Sequence, residues 1–215
     1  MAIELENVLP SEIEKRSFEI ITEELTQNGI VLDPEKAPVI KRCIHTSADF
    51  DYARNLCFSP DVIEKAMDAI KNGACIVTDT QMAKSGINKR ALARYGGEVY
   101  CFMSDEDVAK TAKENGTTRA TASMDKAATL DKKLIFAIGN APTALVRLYE
   151  LIEDGKLDPE LIIGVPVGFV NVVQSKELIM QSGAPYIVAR GRKGGSNIAA
   201  CICNALLYMI DNRRD

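Results

Sequence analysis

Apolar positions along this chain follow two periods. Over residues 10 to 28 they recur at helical spacing, with Ile13, Ser17, Ile20, Ile21 and Glu24 or Leu25 on one face, so that Ser17 sets a hydroxyl in an apolar row. Ser11 is a candidate N-cap with Glu14 three residues on, and Asn28-Gly29 is a stop signal. A second helix is expected from Asp33-Pro34 towards His45, because a capping residue precedes a proline suited to the first helical position. Arg42 and His45, three apart, then share a face. Ser59-Pro60-Asp61 opens a further helix and Asn72-Gly73 closes it.

From there short apolar runs alternate with helical segments. The runs cover residues 74 to 78, 98 to 103, 133 to 138, 161 to 165 and 186 to 189. Runs of this kind predict a parallel sheet buried on both faces: a doubly wound, three-layer α/β/α fold with a mainly parallel sheet of about five strands. The 215 residues suit one domain, with no repeat or linker that would divide 1–215. The apolar stretch over residues 198 to 210 contains Asn204 and is too short to cross about 30 Å of hydrocarbon, so it is read as a buried helix.

Composition narrows the function. With 47% apolar and 26% charged residues the chain is an ordinary globular protein. The net charge of −4 argues against nucleic acid as the main ligand, which calls for a basic face. The first ten residues carry acidic side chains where a signal peptide needs positive charge, so a cytoplasmic protein is expected, with no membrane partner. The six cysteines include no CxxC pair and are expected as free, mostly buried thiols, without metal.

In a doubly wound sheet, ligands collect beyond the carboxyl ends of the strands. There the loop over residues 190 to 197 sets Arg190, Arg192 and Lys193 beside Gly194 and Gly195, just before an apolar helix with Ser196 or Asn197 as its cap. Glycines that admit a ligand to the backbone, next to a helix N-terminus, make an anion site, and a solvated basic loop is the alternative. The loop matches neither GxxxxGK[ST] nor GxGxxG, so a nucleotide does not follow. Arg119, after Gly116-Thr117-Thr118, falls in the first turn of a helix, where a cation opposes the dipole; it is either a ligand-binding residue or a surface arginine. His45 is the only histidine. Imidazole ordinarily titrates near pH 6.5, so it is the candidate general acid-base, oriented by Asp49 or Asp51, unless it is a packed helix-end residue.

Several strings are more specific. Glu14-Lys-Arg-Ser-Phe18, Arg42-Cys-Ile-His45, Asp79-Thr-Gln-Met82, Gly139-Asn-Ala-Pro-Thr-Ala-Leu145, Gly164-Val-Pro-Val-Gly-Phe-Val170 and Arg190-Gly-Arg-Lys-Gly-Gly-Ser196 together resemble the precorrin-8X and cobalt-precorrin-8 methylmutases of cobalamin biosynthesis. The resemblance spans nearly the whole chain. It implies an isomerase that moves a methyl group within a corrin precursor, giving hydrogenobyrinic acid or cobyrinic acid, with no added cofactor. It further implies that His45 protonates the macrocycle and recovers the proton, and that Ser17, Arg42 and Arg119 contact the substrate. The substrate's carboxylates give Arg190, Arg192, Lys193, Gly194 and Ser196 something to bind. It also implies a homodimer with active sites at the subunit interface. A non-catalytic corrinoid carrier is the alternative function, since the same arginines serve binding alone.

Overall fold

The computed structural model describes residues 5–211. Among these, strands β1 (Leu56–Phe58), β2 (Cys75–Thr78), β3 (Val99–Tyr100), β4 (Leu134–Ile138), β5 (Leu161–Gly164) and β6 (Tyr186–Ala189) form one sheet in the order β1-β6-β5-β4-β2-β3. All neighbouring pairs are parallel except β1 with β6. Successive side chains of the central strands enter opposite cores. Ile135, Ala137, Ile163 and Ile187 face one side, and Leu134, Phe136, Ile138, Ile162 and Val188 face the other. Burial on both faces is why these strands read as uninterrupted apolar runs.

The first core is covered by α2 (Ala37–Ser47), α4 (Val62–Lys71), the short α5 (Gln81–Gly86) and α6 (Lys89–Ala93), and α11 (Ser196–Ile210); α1 (Ile13–Gln27) packs on α2, and the four-residue α3 (Tyr52–Asn55) leads into β1. The second core is covered by α7 (Glu106–Glu114), α8 (Arg119–Ala128), α9 (Pro142–Glu153) and α10 (Val172–Gln181). The three-layer α/β/α fold and the mainly parallel sheet are therefore as expected. No helix among the described residues is long and apolar enough to cross a membrane. Cys43, Cys75, Cys101, Cys201 and Cys203 are buried free thiols and Cys57 is half-buried.

Local boundaries differ from the sequence reading, each for a physical reason. The sheet has a sixth strand, β1, too short at three residues to carry a period. The run over residues 98 to 103 pairs only through Val99 and Tyr100. Helix α1 starts at Ile13, with Glu12 rather than Ser11 at the N-cap position. Its buried stripe is Phe18, Ile21 and Leu25, while Ile13 is half exposed and Ser17 lies at the stripe's edge. The Asp33 carboxylate accepts the Glu35 N–H at 3.0 Å in a turn, so α2 starts only at Ala37 with Pro38 in its first turn. Gly195, not Ser196 or Asn197, occupies the N-cap position of α11.

Candidate active site

The last turn of α2 carries His45, an exposed side chain whose ring lies 5.2 Å from that of Phe18 on α1, centroid to centroid. Phe18 also links His45 to Arg42. The Arg42 guanidinium, nearly buried, sits 4.9 Å from the Phe18 ring centroid and 5.1 Å from that of Tyr208 on α11, and it pairs with Glu14. A cation sandwiched between two rings and away from water gains about 2 kcal/mol, so Arg42 fixes the α1, α2 and α11 junction. Ser17, next to Phe18 in sequence, donates its hydroxyl to the Ile13 carbonyl at 2.9 Å.

Helix α2 ends where Ala48 adopts a left-handed conformation, φ 53°. That turn delivers Asp49 and Asp51 to Lys193, whose ammonium donates to both carboxylates at 2.6 Å. The hydrogen bond from Lys193 holds the Asp49 carboxyl below the usual carboxylate range and raises the Lys193 ammonium. Asp49 and Asp51, expected as partners of the His45 ring, are thus engaged by the basic loop. They join the His45 end of α2 to the carboxyl end of β6.

That loop is tightly laced. The Gly195 N–H donates to the Val165 carbonyl at 2.8 Å, and the Gly168 N–H to the Arg192 carbonyl at 3.2 Å. Gly194 has φ +156°, and a Cβ there would stand 2.0 Å from the Val165 oxygen, so no other residue fits without moving the backbone. Beneath the loop, Lys176 of α10 donates to the Gly191 carbonyl at 2.8 Å and the Lys193 carbonyl at 2.9 Å. Burial pulls the Lys176 pKa down to about 8. Arg192 stacks over Phe169 at 5.2 Å, whereas Arg190 turns along α10 to pair with Glu177 at 3.0 Å. Ser196 receives the Thr80 hydroxyl at 2.8 Å, which ties α11 to the end of β2.

Next along the edge is Asp79, with 1% of its surface exposed. Its carboxylate accepts three amides: Gly139 at 2.9 Å, Asn140 at 2.8 Å and Ala141 at 2.6 Å. Burial raises its pKa against the pull of these donors. Asp79 shapes the turn from β4 into α9 and so sets the Gly139 backbone against Ser196, so closely that a Cβ on Gly139 would lie 2.6 Å from the Ser196 Cα. Arg119 is exposed in the first turn of α8, whose cap Thr118 meets Thr143 of α9 at 2.9 Å, so it stands on the same edge beside this turn.

The structure therefore brings His45 and Arg42 together around Phe18 at the α1–α2 junction, with Ser17 next to Phe18 on α1. It puts Arg192, Lys193, Gly194 and Ser196 on the neighbouring loop and Arg119 farther along the edge, and it directs Arg190 to α10. Phe18, Tyr208, Asp79 and Lys176 were not singled out from the sequence. Phe18 and Asp79 each lay within a recognisable string, but the burial of Asp79 and Lys176 depends on backbone partners that leave no side-chain pattern. Among the described residues no group of three or more His, Cys, Asp or Glu side chains could hold a metal ion.

Fold and side chains define a three-layer α/β/α protein with one exposed imidazole at the end of α2 and a cationic, glycine-rich loop after β6. Residues 12–209 match the family model of precorrin-8X methylmutase. The chain is 47% identical to a cobalt-precorrin-8 methylmutase of Salmonella typhimurium (93% of this chain, 95% of that one) and 44% identical to one of Priestia megaterium (95% and 90%). It is 37% identical to a precorrin-8X methylmutase of Pseudomonas aeruginosa (90% and 93%). The solved structure of a precorrin-8x methyl mutase from Thermus thermophilus superposes with a TM-score of 0.84 at 36% identity, covering 94% of this chain and 98% of that one. The chain belongs to the precorrin-8X methylmutase family and is an isomerase of cobalamin biosynthesis. The carrier alternative is not favoured.

Proposed function

We propose that the chain moves a methyl group within cobalt-precorrin-8 to give cobyrinic acid, with His45 as the catalytic acid-base. The observation that carries this is the setting of the only imidazole. It is exposed at the end of α2, against Phe18 and one loop away from the cationic edge. His45 donates a proton to the macrocycle, which becomes electron-poor; the methyl group migrates, and the same imidazole takes a proton back, so nothing is consumed. Arg42, Ser17, Arg119 and the loop from Gly191 to Ser196 bind the substrate's carboxylates and hold the flat ring in register, while Arg190 stays paired with Glu177. The choice of the cobalt form rests on the relatives: those at 44–47% identity are named cobalt-precorrin-8 methylmutases.

A homodimer with interfacial sites is part of the reading. Its support is the exposure of Val167 at 51%, Phe169 at 78% and Val170 at 79%, an apolar loop flanking the binding edge. The cytoplasm is the proposed compartment, in keeping with the biosynthetic role. The test is anaerobic incubation with cobalt-precorrin-8 and, separately, with metal-free precorrin-8X, followed by visible absorption. A spectral change with the cobalt form and none or a slower one with the other supports the proposal; no change with either overturns it.

A further inference from the structure

Lys176 has no exposed surface, yet it carries an ammonium group. Burying such an ion costs several kcal/mol, and a Leu or Met would fill the same space between α10 and the loop without that cost. What the lysine does there is specific: its two hydrogen bonds draw the carbonyls of Gly191 and Lys193 inward, alternate peptide units of the same loop. All the peptide bonds described are trans. In a trans peptide the N–H of the next residue points opposite to the carbonyl. The N–H groups of Arg192 and Gly194 are thereby turned away from Lys176 and from the core, and among the described residues neither donates to another protein group. The next amide differs, since the Gly195 N–H is taken by the Val165 carbonyl.

The rest of the loop keeps these two donors available. Gly191 and Gly194 have positive φ, +84° and +156°, which permits the alternation of carbonyls in and amides out. The Lys193 side chain is drawn to Asp49 and Asp51, so it does not fold over its own backbone. The Arg192 guanidinium over Phe169 adds positive charge nearby. Two outward amides in a cationic loop form a concavity for an anion.

We infer that the Arg192 and Gly194 amides form a backbone subsite for one carboxylate of the corrinoid, and that Lys176 is the positioning residue that holds those two peptide units in their binding orientation. The inference rests on the proposed placement of the substrate along this edge. It assigns carboxylate recognition to the main chain of the loop, with the Lys193 ammonium acting as a tether.

The experiment uses the full chain labelled with nitrogen-15 and titrated with cobyrinic acid and with its fully esterified form. The amide resonances of Arg192 and Gly194 are expected to move downfield at saturation with the acid and to move little with the ester, while Gly195 stays in place. Unmoved Arg192 and Gly194 resonances in a protein that does bind the acid overturn the subsite; failure of the protein to bind or isomerise any corrinoid counts against the functional reading instead. In Lys176→Met the two carbonyls lose their donors, and KM and the dissociation constant for cobyrinic acid are expected to rise about tenfold or more, with kcat at saturation falling less than about threefold. A folded Lys176→Met protein with wild-type KM overturns the role of Lys176. Should that variant not fold, the amide titration of the wild-type chain still decides the subsite, and Lys176→Gln, which keeps an amide donor on a shorter stem, is expected to fall between the two in KM; a wild-type KM for it counts against Lys176.

Discussion

Substitution of Asp79 by Asn probes how the turn from β4 into α9 is held. The carboxylate accepts Gly139 on one oxygen and Asn140 and Ala141 on the other. An asparagine keeps one oxygen. If that oxygen serves Asn140 and Ala141, the amide NH2 faces the Gly139 N–H, and a buried donor is left without an acceptor at a cost of about 1–3 kcal/mol. The two remaining bonds lose their charge assistance, which is roughly half their strength. Relief from burying a charge offsets part of this, since burial disfavours the ionised form. The net loss is about 2–4 kcal/mol. For a chain of this length that lowers Tm by roughly 5–15 °C. Calorimetry or circular dichroism reads it directly. An Asp79→Asn protein melting within about 1 °C of wild type would refute the reasoning, because the three amides would then not depend on the charge.

Four further variants test the same geometry. The pKa of Lys176 is lowered to about 8 by burial, so the unfolded chain binds a proton more tightly than the native one. That lysine's contribution to stability therefore rises with pH between about 8 and its ordinary value near 10.4, and wild type should gain stability relative to Lys176→Met in urea unfolding over that window. Gly194→Ala sets a Cβ 2.0 Å from the Val165 oxygen and should displace the loop, weakening corrinoid binding by about tenfold or more in a calorimetric titration. Arg119→Ala should weaken binding with Tm unchanged, because its side chain is exposed; Arg42→Ala should lower both affinity and Tm, the latter by roughly 4–12 °C, because Arg42 is buried between Phe18 and Tyr208.

The sequence is legible where a residue's fate depends on its neighbours in the chain. Strands β2, β4, β5 and β6 are buried on both faces and were recognisable as apolar runs, with the β6 boundaries agreeing to the residue. Strand β1 was missed because its position at the sheet edge, paired antiparallel with β6, is a tertiary fact. The face of α1 was misjudged by one residue: Phe18, not Ser17, enters the core, because α2 approaches from that side and presents Arg42 and His45 to the aromatic ring. His45 and the basic loop were legible as chemistry, by the rarity of histidine and the density of glycine and cationic residues. Their connection was not, since it runs through Lys193 to Asp49 and Asp51, 142 or more positions away in the chain. The same holds for Asp79 and Lys176, whose partners are all backbone groups.

The central claim is that His45 moves the proton on which the isomerisation depends, while other residues bind. The most direct measurement is on His45→Ala, with cobyrinic acid binding and conversion of cobalt-precorrin-8 followed by visible absorption on the same preparation. The expected result is a dissociation constant within a few-fold of wild type and conversion reduced by about 100-fold or more, the range typical for loss of a general acid-base. Conversion at the wild-type rate by a correctly folded His45→Ala protein would contradict it.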